Sequence, residues 1–155
     1  MVYICILKEI LLFCAIECGA VNTADLMDRA RAASAHAYCP YSHFMVGAAL
    51  LTTREQVFTG CNVENISYSL TICAERVALY TAVSAGKKKG DFLALAVAGR
   101  MKDGPWQPCA PCGACRQVLA EFSSSHHPLV VVYVDGNGTV REQTISDLLP
   151  QGFSV

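Results

Sequence analysis

Apolar residues along this chain gather into short blocks separated by polar turns. Phe44 to Thr52 is apolar with Gly47 inside it and reads as a buried strand. Phe92 to Gly99 (FLALAVAG) and Leu129 to Val134 are apolar throughout, as strands covered on both faces are. Gln56 to Val63 reads as a strand reached through the turn Thr53-Arg54-Glu55. A weaker strand, near Thr139 to Gln143, follows the turn Asp135-Gly136-Asn137-Gly138. Helical spacing fills the intervals. Ala24 to Ala37 opens after Asn22-Thr23 with Asp25 and closes at Cys39-Pro40, because the residue before proline avoids the helical region. Ala74 to Ala85 stops at Gly86, Gly113 to Phe122 follows, and Ser146 to Leu149 reads as a short last helix. Asn65 to Thr71 and Met101 to Pro111 read as loops. The order helix, two strands, then alternating helix and strand predicts an α/β fold with its sheet layered between helices.

The first residues stand apart. Met1 to Leu7 and Ile10 to Ile16 are apolar runs split by Lys8-Glu9. Neither has the length of a membrane span, and a signal peptide would want a basic start and an unbroken apolar stretch. The segment reads as an extra helix packed on the body or on a neighbouring subunit, with a functionless upstream start as the alternative. Cys14 and Cys18 share one face of it and read as packing. The expected organisation is an N-terminal extension over 1–21 and one domain over 22–155, with no repeat or linker.

Composition adds a second layer. Hydrophobic residues make up 53 % of the chain and charged ones 16 %, which is rich in core material and poor in solvated surface. That balance favours burial of surface between subunits, with a compact monomer as the alternative. The formal charge of −1 supplies no field for a phosphate backbone. The run Lys87-Lys88-Lys89 reads as the solvated end of a helix. Neither a nucleic-acid nor a membrane partner is expected. The nine cysteines are odd in number and do not resemble a disulfide framework, which points to a reducing, cytoplasmic compartment. Cys39 and Cys61 read as small buried apolar residues.

Two segments carry chemistry: Cys73-Ala74-Glu75-Arg76 and Pro111-Cys112-Gly113-Ala114-Cys115-Arg116-Gln117. Cys112 and Cys115, three apart on a first helical turn, face the same way. Helix N-termini offer free N–H groups and partial positive charge, which stabilise thiolates. Cys73 enters its own helix in the same manner, so two helix starts aimed at one spot would gather three thiolates for one zinc ion. Three protein ligands leave one position for water, the mark of a catalytic rather than a structural site. A Cys, then x-Glu, then Pro-Cys-x-x-Cys is the zinc-deaminase spacing, with Glu75 off the metal. Cys109, also in C-x-x-C spacing with Cys112, is the rival ligand; Pro111 leaves it in the loop before the helix. Three thiolates on zinc carry a net negative charge, which Arg76 would offset by bonding to a ligating sulfur, with Arg116 as second candidate and a solvent-facing role as the alternative for it. His36, His43, His126 and His127 show no ligand spacing. C-x-x-C alone would better suit a structural zinc clip, a redox pair or part of an iron–sulfur site; the Glu two after Cys73 and the Arg after each motif turn the reading away from these.

With these motifs in view, the sequence resembles the small homotetrameric cytidine deaminases from about Ala24 to Phe153. The likeness rests on Cys39-Pro-Tyr-Ser-His-Phe44, Val46-Gly-Ala-Ala-Leu50, Gly60-Cys-Asn-Val-Glu-Asn65, the two metal segments and Leu148-Leu-Pro-Gln-Gly-Phe153. Met45 stands where the pattern usually has proline, and Ile66 where alanine is common. The resemblance implies a three-layer α/β/α sandwich around a mixed five-stranded sheet, and four subunits sharing their active sites. It implies zinc held by Cys73, Cys112 and Cys115, and hydrolysis of cytidine and deoxycytidine with Glu75 moving the protons. It further implies that Asn62 and Glu64 bind the sugar hydroxyls, and that Phe44 and Ala74 line the substrate site. Phe153 would reach a neighbouring subunit's pocket. Deaminases of the blasticidin S type match at the metal motifs and the C-terminus, and remain the alternative.

Overall fold

The computed structural model describes residues 22–153. Its elements are helix α1 (Thr23–Ala33), strands β1 (Phe44–Thr52) and β2 (Val57–Cys61), helix α2 (Ala74–Ser84), strands β3 (Phe92–Met101) and β4 (Trp106–Gln107), helix α3 (Gly113–Phe122), strands β5 (Val130–Val134) and β6 (Val140–Thr144), and helix α4 (Ile145–Leu148). One sheet runs in the order β2-β1-β3-β5-β6. All its pairings are antiparallel except β3 with β5, so the sheet is mixed. The parallel pair needs a crossover, and α3 lies within it.

Helices cover both faces. On one, Leu26, Met27 and Ala30 of α1 pack on Ala49, Leu51, Ala94 and Ala96. On the other, Ala78 and Leu79 of α2 and Leu119 of α3 pack on Leu50, Leu95, Val97 and Val131. Leu50, Leu79 and Leu95 are fully buried, and each contributes about 1.5–3 kcal/mol. Glycine sets how closely two helices approach. A Cβ on Gly47 would stand 2.0 Å from the Ala30 carbonyl, so the α1 backbone lies directly on β1. A Cβ on Gly60 would stand 2.4 Å from Ala78 N and 2.6 Å from Ala74 O, so the first turns of α2 rest on β2.

Several expectations need correction. The sheet has six strands, because Trp106 and Gln107, read as loop, pair with Arg100 and Gly99. The β3–β5 register covers only Ala94 to Ala96, which leaves the far end of β3 free to take β4. Two guanidinium groups also approach the Trp106 ring, Arg31 at 5.5 Å and Arg100 at 4.7 Å from its centroid. Pro105 and Pro108 hide this strand from any local pattern. The first helix stops at Ala33 and tightens into a 3₁₀ turn over Ser34–His36, where Ser34 Oγ donates to the Arg31 carbonyl at 2.7 Å. The loop after Asn65 holds a second such turn at Tyr68–Leu70. Cys39 and Cys61 are half-buried rather than buried, and the Cys61 thiol donates to the His36 carbonyl. The expectations for residues 1–21 lie outside the described residues. Among the described residues no helix is long and apolar enough to cross a membrane.

Candidate metal centre and active site

Two helix starts meet at the side of the sheet that carries α2 and α3. Cys73 is the N-cap of α2 and Cys112 the N-cap of α3, and neither side chain caps its own helix. Their sulfurs are 4.0 Å apart. With Cys115, one turn into α3, they form a group whose sulfurs all lie within 4.8 Å of one another. A tetrahedral zinc with bonds of about 2.3 Å holds its sulfurs about 3.8 Å apart, so this donor set fits the ion with small adjustment. Among the described residues no fourth cysteine, histidine or carboxylate joins the group. Burial is graded: Cys115 is buried, Cys73 half-buried and Cys112 exposed, which gives the group a closed floor and an open mouth.

The electrostatics match. The Cys73 thiol is lowered to about 5, first by a hydrogen bond from Cys115, then by Arg76. Cys115, the donor in that pair, is pushed up by the same bond and by burial. Arg76 Nη2 lies 3.6 Å from Cys73 Sγ and 3.4 Å from the Thr71 carbonyl, as expected of a group that offsets thiolate charge. Arg116 does something else. Its Nε donates to the Pro111 carbonyl at 2.8 Å and its Nη1 to the Leu148 carbonyl at 3.1 Å. It ties the loop before α3 to α4. Cys109 is outside the sulfur group.

Glu75, in the first turn of α2, is only 4 % exposed. Burial raises its carboxyl above the usual glutamate range, and its own backbone N–H and Cys115 oppose the shift. Ala74 beside it is fully buried.

The structure places the other sequence candidates as follows. Asn62 Oδ1 accepts from Val46 N at 2.8 Å, and its Nδ2 donates to the Phe44 carbonyl at 2.9 Å. The side chain thereby extends the β1–β2 ladder past its last pair, Gly47 with Cys61. Glu64 Oε2 accepts from the N–H groups of Tyr41 at 3.0 Å and Ser42 at 3.2 Å. Hydrogen bonding by Ser42, then Tyr41, holds that carboxyl below the usual range. Glu64 thus braces the loop that leads into Phe44, and Asn62 the first residues of β1. Phe153 is 79 % exposed, and its carbonyl accepts from Gln117 Nε2 at 3.2 Å, so the C-terminal run is tied to α3. The brace was missed from sequence; its signal was an Asn and a Glu two apart, one of several patterns a polar loop can show.

This fold and site define an α/β protein with a three-sulfur group that fits a zinc ion and a carboxyl buried two residues from one of those sulfurs. Comparison with known proteins is more specific. The family model described as the cytidine and deoxycytidylate deaminase zinc-binding region matches residues 21–133, and the chain belongs to that family. It is 44 % identical over 134 residues to a cytidine deaminase of Sporosarcina psychrophila, covering 86 % of this chain and 93 % of the other. The crystal structure of cytidine deaminase from Burkholderia pseudomallei matches at 48 % identity with a TM-score of 0.75, over 86 % of this chain and all of that one. A blasticidin-S deaminase of Bacillus cereus is more distant, 31 % identical over 114 residues, covering 70 % of this chain and 76 % of the other.

Proposed function

We propose that this protein converts cytidine and deoxycytidine to uridine and deoxyuridine by zinc-dependent hydrolysis, releasing ammonia. The observation that carries the reading is the three-sulfur group at two helix starts with buried Glu75 beside it. Cys73, Cys112 and Cys115 would hold the zinc, whose contribution is to acidify and fix a water molecule. Glu75 takes a proton from the attacking water and passes it to N3 of the base. Water oxygen then becomes bonded to C4. Ionised again, Glu75 takes the proton of the new C4 hydroxyl and gives it to the amino group; the C4–N bond breaks, ammonia leaves and C4 becomes the carbonyl of the uracil ring. One carboxylate serves both steps because it gains and loses the proton in turn. Arg76 steadies the thiolates.

Asn62 and Glu64 each keep unused hydrogen-bonding capacity after bracing β1, and that capacity would meet the sugar hydroxyls. Phe44 and Ala74 would line the substrate site. The catalytic domain spans 22–155, with 1–21 outside it. The unit is a homotetramer in the cytoplasm, serving pyrimidine salvage. Supporting this, Phe153 is 79 % exposed among the described residues, and Tyr38, Val63, Ile66, Tyr68 and Leu70 are exposed apolar side chains there as well.

The test is the ultraviolet change on incubation with cytidine, deoxycytidine or blasticidin S, beside metal analysis of the same sample. One zinc per chain with turnover of both nucleosides is expected. Turnover of blasticidin S alone would move the assignment to the antibiotic deaminases. Zinc without turnover of any of the three would leave a structural metal site.

A further inference from the structure

Phe44 opens β1 and Gly99 lies near the end of β3, with Val46 paired to Gly99 and Phe44 to Met101. Alternation along β1 puts Phe44, Val46, Ala48 and Leu50 on the face that carries α2 and α3. A Cβ built on Gly99 would stand 2.7 Å from Phe44 Cε1, 2.8 Å from Phe44 Cζ and 2.9 Å from Cys109 Sγ. Non-bonded heavy atoms settle at about 3.5–4.0 Å. The ring edge and the thiol therefore share a space that exists only because residue 99 has no side chain. Cys109 is itself anchored: its N–H donates to the Val134 carbonyl at 3.0 Å, and it packs on the core. Its thiol is pushed up to about 12 by burial and then by the charges of Glu75 and Cys73, so it stays a neutral side chain.

We propose that Gly99 and Cys109 are positioning residues that seat the Phe44 ring, and that the depth of this seat sets the width of the pocket for the pyrimidine nucleoside. The inference rests on the nucleoside-deaminase reading above. The three atoms nearest to a methyl group at 99 are all side-chain atoms, of Phe44 and Cys109, so the side chains yield before the β1–β3 register does. The ring must instead rise off the sheet, toward the layer that holds the metal group, and narrow the space for the base.

The experiment uses zinc-loaded Gly99→Ala, Cys109→Ala and the double variant. It reads kcat and KM for cytidine, and cytidine affinity by calorimetry in a Glu75→Gln background. Gly99→Ala is expected to weaken affinity and raise KM about tenfold, with kcat changed less than about threefold and zinc content unchanged. Adding Cys109→Ala frees room for the ring to slide back and is expected to restore affinity to within about threefold. In a Phe44→Leu background, Gly99→Ala is expected to add nothing. Unchanged affinity in zinc-loaded Gly99→Ala, or a double variant no better than the single, overturns the proposal. If Gly99→Ala does not fold, Cys109→Leu crowds the same ring from the other side, and unchanged affinity there overturns it equally. Wild-type protein that leaves cytidine intact sinks the function itself. Active wild type with an indifferent Gly99→Ala sinks only this inference.

Discussion

Glu75 shows how one residue answers to opposing demands. Its burial favours the protonated form, which would suit the proton-carrying role proposed for it. The same burial bears on stability. A carboxyl with a raised native pKa stabilises fully below its unfolded value, and that contribution is lost as pH rises toward the native one. In metal-free protein, Glu75→Gln should therefore unfold at higher temperature than wild type at neutral pH, the two converging in acid; thermal scans across that range check it. In zinc-loaded protein the same change should keep the metal and lose about 10²–10⁴ in turnover. Cys112→Ala should lose zinc, whereas Cys109→Ala should keep one ion per chain; metal analysis showing the reverse would exchange their roles. Asn62→Ala removes both bonds to the β1 backbone and should lower stability by about 1–3 kcal/mol, read by urea unfolding, apart from any change in substrate binding. A variant as stable as wild type would leave Asn62 with the substrate alone.

At the scale of elements, the metal group depends on how α2 sits on the sheet. Gly60 has no Cβ where the backbone of Ala74 and Ala78 passes, so Gly60→Ala must push away the helix that carries Cys73 and Glu75. The contact is backbone on both sides and cannot swing aside. A loss of about 1–3 kcal/mol is expected, together with weaker zinc retention on dialysis against a chelator. Full zinc retention with unchanged stability would mean that α2 is not seated by this contact. Helix α3 was legible from Gly113 to Phe122 because Pro111 fixes its start and its apolar residues recur with helical spacing. The apolar cores of β1, β3 and β5 were legible for the converse reason: each is covered on both faces and reads as a continuous apolar run. Strand β4 was not, since two residues between prolines carry no period, and only the free edge of β3 makes them a strand.

For the whole molecule, the pattern of cover is the informative feature. Tyr38, Ile66, Tyr68, Leu70 and Phe153 are all more than half exposed in the single chain. Sedimentation of the zinc-loaded protein should give the mass of four chains, and Ile66→Lys with Leu70→Lys should break it down; a wild-type monomer at micromolar concentration would discard the shared-site arrangement. What the sequence determined by itself was the class of chemistry and the layering. Thiols three apart at a helix start, a carboxylate two after a third thiol, and apolar blocks of strand length are local patterns, and local spacing fixes local geometry. Tertiary structure decided which chain neighbours meet across long separations. It bound Asn62 to the start of β1 and Glu64 to the loop before it, tied Arg116 to the Leu148 carbonyl of α4, added β4, and brought the Phe44 ring and the Cys109 thiol together over Gly99. Those contacts depend on how closely backbones approach when sheet and helices pack, and no spacing along the chain encodes that distance.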